Sequence, residues 1–123
     1  MALTKSGTAR AVQSSATNTA GSTTTTSGQS TGYGTSGVAK ITNGGTGPTV
    51  ACSVYLDWSA DNTTFYSGPS IGSGDTVASS VTLIPYSLGI GSGGDWAYYR
   101  LRFTGNTGQS VTVEAEDSTT SGV

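Results

Sequence analysis

Two alternating runs near the end of the chain constrain its fold most strongly. In residues 97–103 and again in residues 111–116, apolar side chains alternate with polar or charged ones. The four residues GNTG (105–108) separate the two runs. Alternation with period 2, bounded by Gly and Asn, is typical of a half-buried antiparallel hairpin. We therefore predict that residues 94–117 form a hairpin within a small all-β domain.

Other segments show the same alternation, and none has a helical pattern. In residues 77–86, Val77, Val81 and Leu83 share one face. Residues 50–58 predict a central strand, because five apolar side chains share a face: Val50, Cys52, Val54, Leu56 and Trp58. The abundant Gly, Ser and Thr have low helix propensity. The sequence therefore predicts about seven strands, at residues 22–27, 37–43, 50–58, 64–67, 77–85, 96–104 and 110–116.

Length and composition favour a single sandwich domain. The chain has 123 residues, of which 33% are hydrophobic, and this is enough for one domain with a small core. Short strands separated by Gly-rich turns are typical of a single antiparallel β-sandwich. We predict that residues 22–117 form the sandwich, that residues 1–21 form an extended N-terminal arm, and that residues 118–123 form a polar, frayed tail.

The N-terminal segment is too poor in apolar residues to fold by itself. The sizeable apolar side chains of residues 1–36 are Met1, Leu3, Val12 and Tyr33. Two interpretations are open for residues 1–21. The segment is either a flexible arm that precedes an edge strand, or an arm that becomes ordered when it lies on a neighbouring subunit.

Charge and cysteine content exclude several classes of partner. The net charge is −2, and the few cations of residues 1–49 are too dispersed for a nucleic-acid-binding surface. No apolar run approaches the roughly 20 residues that a membrane span needs, and the N-terminus lacks a signal-peptide segment. Cys52 has no partner for an intrachain disulfide, which fits a reducing bacterial cytoplasm. We expect neither nucleic acid nor membrane as a partner.

Few residues could carry catalysis. The chain has no histidine, which removes Ser-His-Asp and Cys-His mechanisms and most zinc sites. Cys52 is therefore interpreted as a small core residue. Asp57 and Asp61 could form a glycosidase-like carboxylate pair, but we interpret both as solvated turn residues.

A second group of acids lies near the end of the chain. Glu114, Glu116 and Asp117 could form a weak Ca²⁺ site. We interpret them instead as a solvated strand face opposite Arg100 and Arg102 of the predicted hairpin. The sequence thus predicts no catalytic, cofactor-binding or metal-binding residue, and a protein that is not an enzyme.

The remaining motifs are aromatic residues and glycine-rich loops. An aromatic surface that stacks on sugar could include Tyr55, Trp58, Tyr66, Trp96 and Tyr98, although half of these are more simply core or rim residues. The glycine-rich loops lack the lysine and the following helix of a phosphate loop.

The segment DWAYY (95–99) resembles the tyrosine corner of immunoglobulin-like sandwiches. Tyr99 would be the corner tyrosine, and Leu101 would take the position of the usual second cysteine. The chain departs from antibody domains in having no disulfide partner there.

Three segments resemble small structural proteins of tailed bacteriophages: residues 40–48 (KITNGGTGP), 59–66 (SADNTTFY) and 99–108 (YRLRFTGNTG). Those proteins share a T-N-G turn, a strand that ends in S-x-D-x-T-x followed by Trp, Phe or Tyr, and a late Y-x-R strand followed by G-N-T-G. The resemblance covers roughly residues 23–116. It implies an immunoglobulin-like or jelly-roll sandwich that takes part in virion assembly, and it carries over no catalytic residue.

The resemblance implies a specific set of expectations about role and partners. The chain would be a capsid decoration (cement) protein that stabilises the head by binding across capsid subunits. Its partners would be the major capsid protein or other virion proteins, together with further copies of itself in a trimer or ring. It would be located in the virion, assembled in the bacterial host cytoplasm. The alternatives are a neck or tail ring component and a carbohydrate-binding host-recognition module.

Overall fold

The computed structural model describes residues 3–89 and 96–122, which form ten strands and no helix. The strands are β1 (Leu3–Lys5), β2 (Arg10–Asn18), β3 (Thr24–Thr25), β4 (Gln29–Ser30), β5 (Gly34–Asn43), β6 (Ser53–Ser59), β7 (Ser70–Ser73), β8 (Val81–Gly89), β9 (Tyr98–Thr104) and β10 (Val111–Gly122). All strand pairs are antiparallel. The predicted all-β class is confirmed, with ten strands instead of about seven.

The strands form two sheets of five strands each. In the first sheet β8, β5 and β10 are neighbours, and β1 and β2 both pair with the far edge of β10. In the second sheet β7, β6 and β9 are neighbours, and β3 and β4 both pair with the far edge of β9. The core lies between the sheets, where Ile41 and Val113 of the first sheet and Leu56, Leu101 and Phe103 of the second are buried. The predicted antiparallel sandwich is thereby confirmed.

The predicted hairpin of residues 94–117 is wrong in its pairing. Strand β9 pairs with β6, whereas β10 pairs with β5 and β2, so the two strands belong to opposite sheets. The alternation is real, because each strand buries one face in the shared core. The GNTG turn carries the chain from one sheet to the other, with φ of 98° at Gly105 and 83° at Gly108. Glycine adopts these left-handed conformations without steric cost.

The predicted boundaries of the sandwich are also wrong. Residues 10–18 of the predicted arm form β2, which pairs with residues 111–117 of the same chain. The predicted tail is the end of β10, which pairs with β1 through Leu3–Lys5. Polar strands of this kind remain attached because backbone hydrogen bonding does not require apolar side chains.

Two other strand predictions are corrected by the structure. The predicted strand at 64–67 is reduced to a single bridge between Trp58 and Tyr66. The predicted strand at 77–85 grouped Val77, Val81 and Leu83 on one face, but β8 begins only at Val81 and all three side chains are exposed. The alternate residues of β8 face the core instead: Ile84, Tyr86 and Leu88.

Candidate functional site

The outer face of the second sheet contains a buried carboxylate between two arginines. Asp57 lies on β6 between Leu56 and Trp58, which face the core, so its side chain is on the opposite face of the sheet. Neighbouring β9 places Arg100 and Arg102 on that same face. The Nε atoms of the two arginines donate to the same oxygen, Asp57 Oδ2, at 3.0 Å and 2.8 Å. The interpretation of Asp57 as a solvated turn residue is therefore wrong.

Further contacts hold this cluster in place. The amide of Gly68 donates to Asp57 Oδ1 at 3.2 Å. The Arg100 guanidinium lies 4.3 Å from the ring centroid of Phe65, and that of Arg102 lies 5.0 Å from the ring of Tyr55. Burial alone would raise the pKa of Asp57, but the hydrogen bonds from the two arginines and Gly68 outweigh it and hold the pKa below its ordinary value.

The surroundings of Asp61 differ from those of Asp57. It lies in an exposed turn, where its Oδ1 accepts hydrogen bonds from the amides of Thr63 and Thr64, both at 2.9 Å. The Thr64 amide is the largest cause of a lowered pKa at Asp61, followed by the Thr63 amide and the Ser59 hydroxyl. The interpretation of Asp61 as a turn residue is confirmed. Asp57 Oδ2 is held by two arginines and Asp61 Oδ1 by the amides of its own turn, and no hydrogen bond links the two acids within the described residues.

The three acids near the end of β10 have separate surroundings. Glu114 forms a half-exposed ion pair with Lys40 at 3.1 Å. Glu116 is exposed, with no ion-pair partner in the described ranges. Asp117 faces the other side of the sheet and is buried. Among residues 3–89 and 96–122, no three metal-ligating side chains come together. None of the three acids lies opposite Arg100 or Arg102, so that prediction is wrong.

Asp117 is the centre of a buried polar network that joins the two sheets. Arg10 Nε and Nη2 donate to its two oxygens at 2.8 Å and 2.7 Å. The Tyr99 hydroxyl of the second sheet donates to Asp117 Oδ2 and lies 2.7 Å from the Tyr86 hydroxyl. Arg10 also donates to the Ser30 carbonyl oxygen at 2.7 Å. Tyr99 is thus tied to a carboxylate, whereas an immunoglobulin-type tyrosine corner ties its hydroxyl to the backbone.

The protonation states of this network follow from its burial. The hydrogen bond to Asp117 is the largest cause of a raised pKa at Arg10. Burial raises the pKa of Tyr86 and of Tyr99 far above the ordinary value for tyrosine. The Arg10 guanidinium therefore stays charged and the two phenols stay neutral across the neutral range.

The aromatic side chains do not form one platform. Tyr66 and Trp96 are 59% and 38% exposed, with ring centroids 5.8 Å apart and planes inclined by 52°. Tyr55 lies against Arg102 on the outer face of the second sheet. Trp58 packs against the core. The exposed pair is therefore two tilted rings instead of the flat surface that stacks on a sugar ring.

The outer face of the first sheet is shallowly concave and partly apolar. Val38 lies at the junction of two grooves along this face, and Glu116 borders both. Pro85 lines one groove and Leu83 the other. Val38, Val81 and Leu83 are 41%, 54% and 62% exposed. A contiguous row of exposed apolar side chains on a sheet face is typical of a surface that contacts another protein.

Cys52 is buried in the core, which confirms its interpretation as a small apolar residue. Burial raises the pKa of its thiol to about 11, so the reactive thiolate is scarce at neutral pH. In the part of the chain that the structure describes, no helix is long and apolar enough to cross a membrane.

Sequence comparison identifies no relative, and structural comparison identifies a fold. No family model and no curated protein sequence matches the chain. The fold is similar to a chain in the structure of infectious bursal disease virus Gx strain, at 9% identity and a TM-score of 0.63, over 97% of this chain and 32% of that one. For the Gt strain the identity is 8% and the TM-score 0.57, over 93% and 33%.

A family 16 carbohydrate-binding module is a more distant match, at 11% identity and a TM-score of 0.43, over 86% of this chain and 74% of the module. The present chain spans about a third of each virus chain. At these identities the likeness to the virus chains shows the fold, a two-sheet antiparallel sandwich, and nothing more.

Proposed function

We propose that the chain is a non-enzymatic structural protein of a bacteriophage virion, and specifically a capsid decoration protein. In this role it binds across neighbouring subunits of the major capsid protein and stabilises the head. It acts as a homo-oligomer and is located in the virion after assembly in the host cytoplasm. The observation that carries the proposal is the likeness of nearly the whole chain to part of a virus chain.

Two further observations support an assembly role. The described residues include no cluster suited to acid–base or metal chemistry, since the oxygens of Asp57 accept from two arginines and the Gly68 amide, and those of Asp117 accept from arginine and tyrosine. The outer face of the first sheet exposes Val38, Val81 and Leu83 to solvent. Burying such side chains against a partner is favourable, at about 25 cal/mol for each Å² of apolar area.

A carbohydrate-binding module is the second candidate. The exposed rings of Tyr66 and Trp96 favour it, because a single aromatic ring can pack on the apolar face of a sugar even where two tilted rings form no common platform. A glycan array with the wild-type chain and the Tyr66→Ala variant tests this function. Binding that the variant loses would support it, and an array without hits would exclude it for the glycans presented.

The copy number of the chain in purified particles tests the main proposal. Quantitative mass spectrometry should give a ratio to the major capsid protein that corresponds to hundreds of copies for a decoration protein. About six or about twelve copies would instead indicate a neck or tail ring. Absence from particles would contradict both virion roles. A cryo-EM map of the same particles would then show which capsid subunits the sandwich touches.

A further inference from the structure

Strand β8 forms a long free edge of the first sheet. It pairs with β5 on one side, and within the described ranges no backbone hydrogen bond reaches its other side. The other free edges are shorter or less regular: β1, β3, β4 and β7 have two to four residues each, and β2 contains two register shifts. The nine residues of β8 pair with β5 without a shift. A long, regular edge of this kind is prone to pair with another chain.

The sequence of β8 also favours pairing with another strand. VTLIPYSLG contains no charged residue, and Val81, Thr82, Ile84 and Tyr86 have high strand propensity. Proteins commonly protect a free edge with charged side chains, Lys above all, and β8 has none. Val81 and Leu83 are 54% and 62% exposed, so the edge is open to solvent there. Protection of this edge therefore depends on the backbone of β8.

The hydrogen-bond pattern shows which backbone groups of β8 point away from β5. The Asn43 amide donates to the Ser80 carbonyl oxygen at 2.8 Å, in the same register as the ladder between β5 and β8. Hydrogen-bonded and non-hydrogen-bonded pairs alternate along an antiparallel ladder. Val38 and Pro85 therefore form a non-hydrogen-bonded pair, and the backbone nitrogen of Pro85 points to the free edge. The residues of β8 that share this orientation form the outward row: Val81, Leu83, Pro85, Ser87 and Gly89.

Pro85 lies at the centre of the outward row and has no amide proton to donate. Two copies of β8 could pair about a two-fold axis, and the longest such ladder places position 85 of one copy opposite position 85 of the other. The five outward residues of each copy would then exchange about ten hydrogen bonds, of which the proline removes the two at the axis. Ladders that avoid position 85 use two neighbouring outward residues and form about four hydrogen bonds.

We propose that Pro85 prevents β8 from pairing with the β8 edge of a second copy, and that this edge becomes a self-association surface when the proline is replaced. A second copy fits the edge because the longest ladder places Leu83 opposite Ser87 and Val81 opposite Gly89, with no charged side chain at the contact. The contact is isologous, so it ends at a dimer. Pairing of β8 is a property of the isolated chain and does not depend on the proposed capsid role.

The Pro85→Thr variant restores the missing amide. In sedimentation velocity at increasing protein concentration, the mass of the variant should double relative to the wild type. The dissociation constant of this dimer should be at least tenfold lower than that of any wild-type pairing through β8, because the longest ladder regains its central hydrogen bonds. Ser87→Thr is the matched control: it adds a β-branched side chain to the outward row but leaves Pro85 in place. The control should sediment like the wild type.

Amide hydrogen exchange measured by NMR locates the new contact. In the wild type the Leu83 and Ser87 amides should exchange rapidly, whereas the Ile84 and Tyr86 amides, which face β5 in this pattern, should be protected. In the Pro85→Thr dimer, protection should extend to Leu83 and Ser87. Continued protection of Ile84 and Tyr86 shows that the strand is intact, and Pro85→Val restores the same amide if the threonine variant fails to fold.

Three results would overturn the role of Pro85. Both Pro85 variants could sediment like the wild type at every concentration, or Ser87→Thr could associate as strongly as Pro85→Thr. The third is a new dimer in which the Leu83 and Ser87 amides still exchange rapidly. The copy number of the chain in particles is independent of all three results, so the capsid role and the role of Pro85 fail separately.

Discussion

Replacement of Asp57 by asparagine gives the sharpest test of how the second sheet is stabilised. The carboxylate accepts two hydrogen bonds from arginine and one from the Gly68 amide. Removing one member of a fully buried ion pair costs about 3–5 kcal/mol. Here Arg100 and Arg102 are 30% and 24% exposed, so water can solvate them, and asparagine retains one acceptor oxygen. We therefore expect Asp57→Asn to lower the free energy of unfolding by about 2–3 kcal/mol at pH 7.

The pH dependence of this loss distinguishes the contribution of the Asp57 charge to stability from the contribution of its packing. The pKa of Asp57 is lowered in the folded state, so the unfolded chain binds the proton more tightly. The contribution of the carboxylate is complete above the unfolded pKa of about 3.9 and is lost as the pH falls through the folded pKa. The difference between wild type and Asp57→Asn should stay constant from neutral pH to about pH 5 and shrink below about pH 4.

Urea denaturation followed by tryptophan fluorescence measures the free energy of unfolding at each pH. Urea is chosen because, unlike guanidinium chloride, it does not screen charges. Glu114→Gln is the control: its carboxylate forms a half-exposed pair with Lys40, and such pairs contribute less than about 1 kcal/mol. The explanation fails if Asp57→Asn costs no more than this control. It also fails if the difference from wild type is the same at pH 3 as at pH 7.

Three further predictions concern the core. Tyr99→Phe removes the hydroxyl that bonds Asp117 and Tyr86, and urea titration should show a loss of about 1–3 kcal/mol in the free energy of unfolding. Gly37→Ala places a Cβ 2.3 Å from the Tyr86 ring, which should displace that ring and lower stability by about 1–3 kcal/mol in the same assay. Cys52, with a thiol pKa of about 11, should resist alkylation at pH 8 in the folded chain and react once urea unfolds it.

Each of these predictions has either a matched control variant or a stated result that would contradict it. Tyr98→Phe removes a hydroxyl on the same strand that has no hydrogen bond within the described residues, and Gly44→Ala adds a Cβ that meets no atom within 4 Å. Both should change the free energy of unfolding by less than about 0.5 kcal/mol. Equal effects of test and control would show that neither the buried hydroxyl nor the Tyr86 contact matters. Rapid alkylation of folded chain would show that Cys52 is accessible.

Alternation along a strand identifies its two faces but not its neighbours. Residues 98–104 and 111–116 have the predicted faces, yet they pair in different sheets. A short turn permits a hairpin, but it also permits a crossing between sheets, and the pattern is the same in both cases because each strand buries one side. The pairing depends on long-range packing, which a local pattern does not contain.

Strand β8 shows a second limit of the pattern. Its sequence VTLIPYSLG offers Val81 and Leu83 on one face and Ile84, Tyr86 and Leu88 on the other, so both faces contain apolar residues. The face with the larger total apolar area is buried. Val81 and Leu83 are therefore left exposed. They form part of the apolar outer surface of the first sheet.

Asp57 was detectable in principle from the sequence. It alternates with core residues in the clearest predicted strand, and Arg100 and Arg102 alternate with core residues in another. An acid in the middle of a central strand needs a partner, and two cations with the right spacing were present. The missing information was the register that aligns Asp57 with Arg100 across β6 and β9.

The buried polar residues explain why the N-terminal segment belongs to the sandwich. Residues 10–18 bury little apolar area, with Val12 as their principal contribution to the core, so composition alone favoured an arm. Both ends of β2 are instead fixed by polar contacts: Arg10 pairs with buried Asp117 at one end, and Asn18 donates to Asn106 at 2.6 Å at the other. Detaching β2 would leave Asp117 buried without its cation, at a cost of several kcal/mol. The segment is therefore held by the requirement to satisfy a buried acid, and this requirement becomes visible only when the fold places Arg10 and Asp117 together.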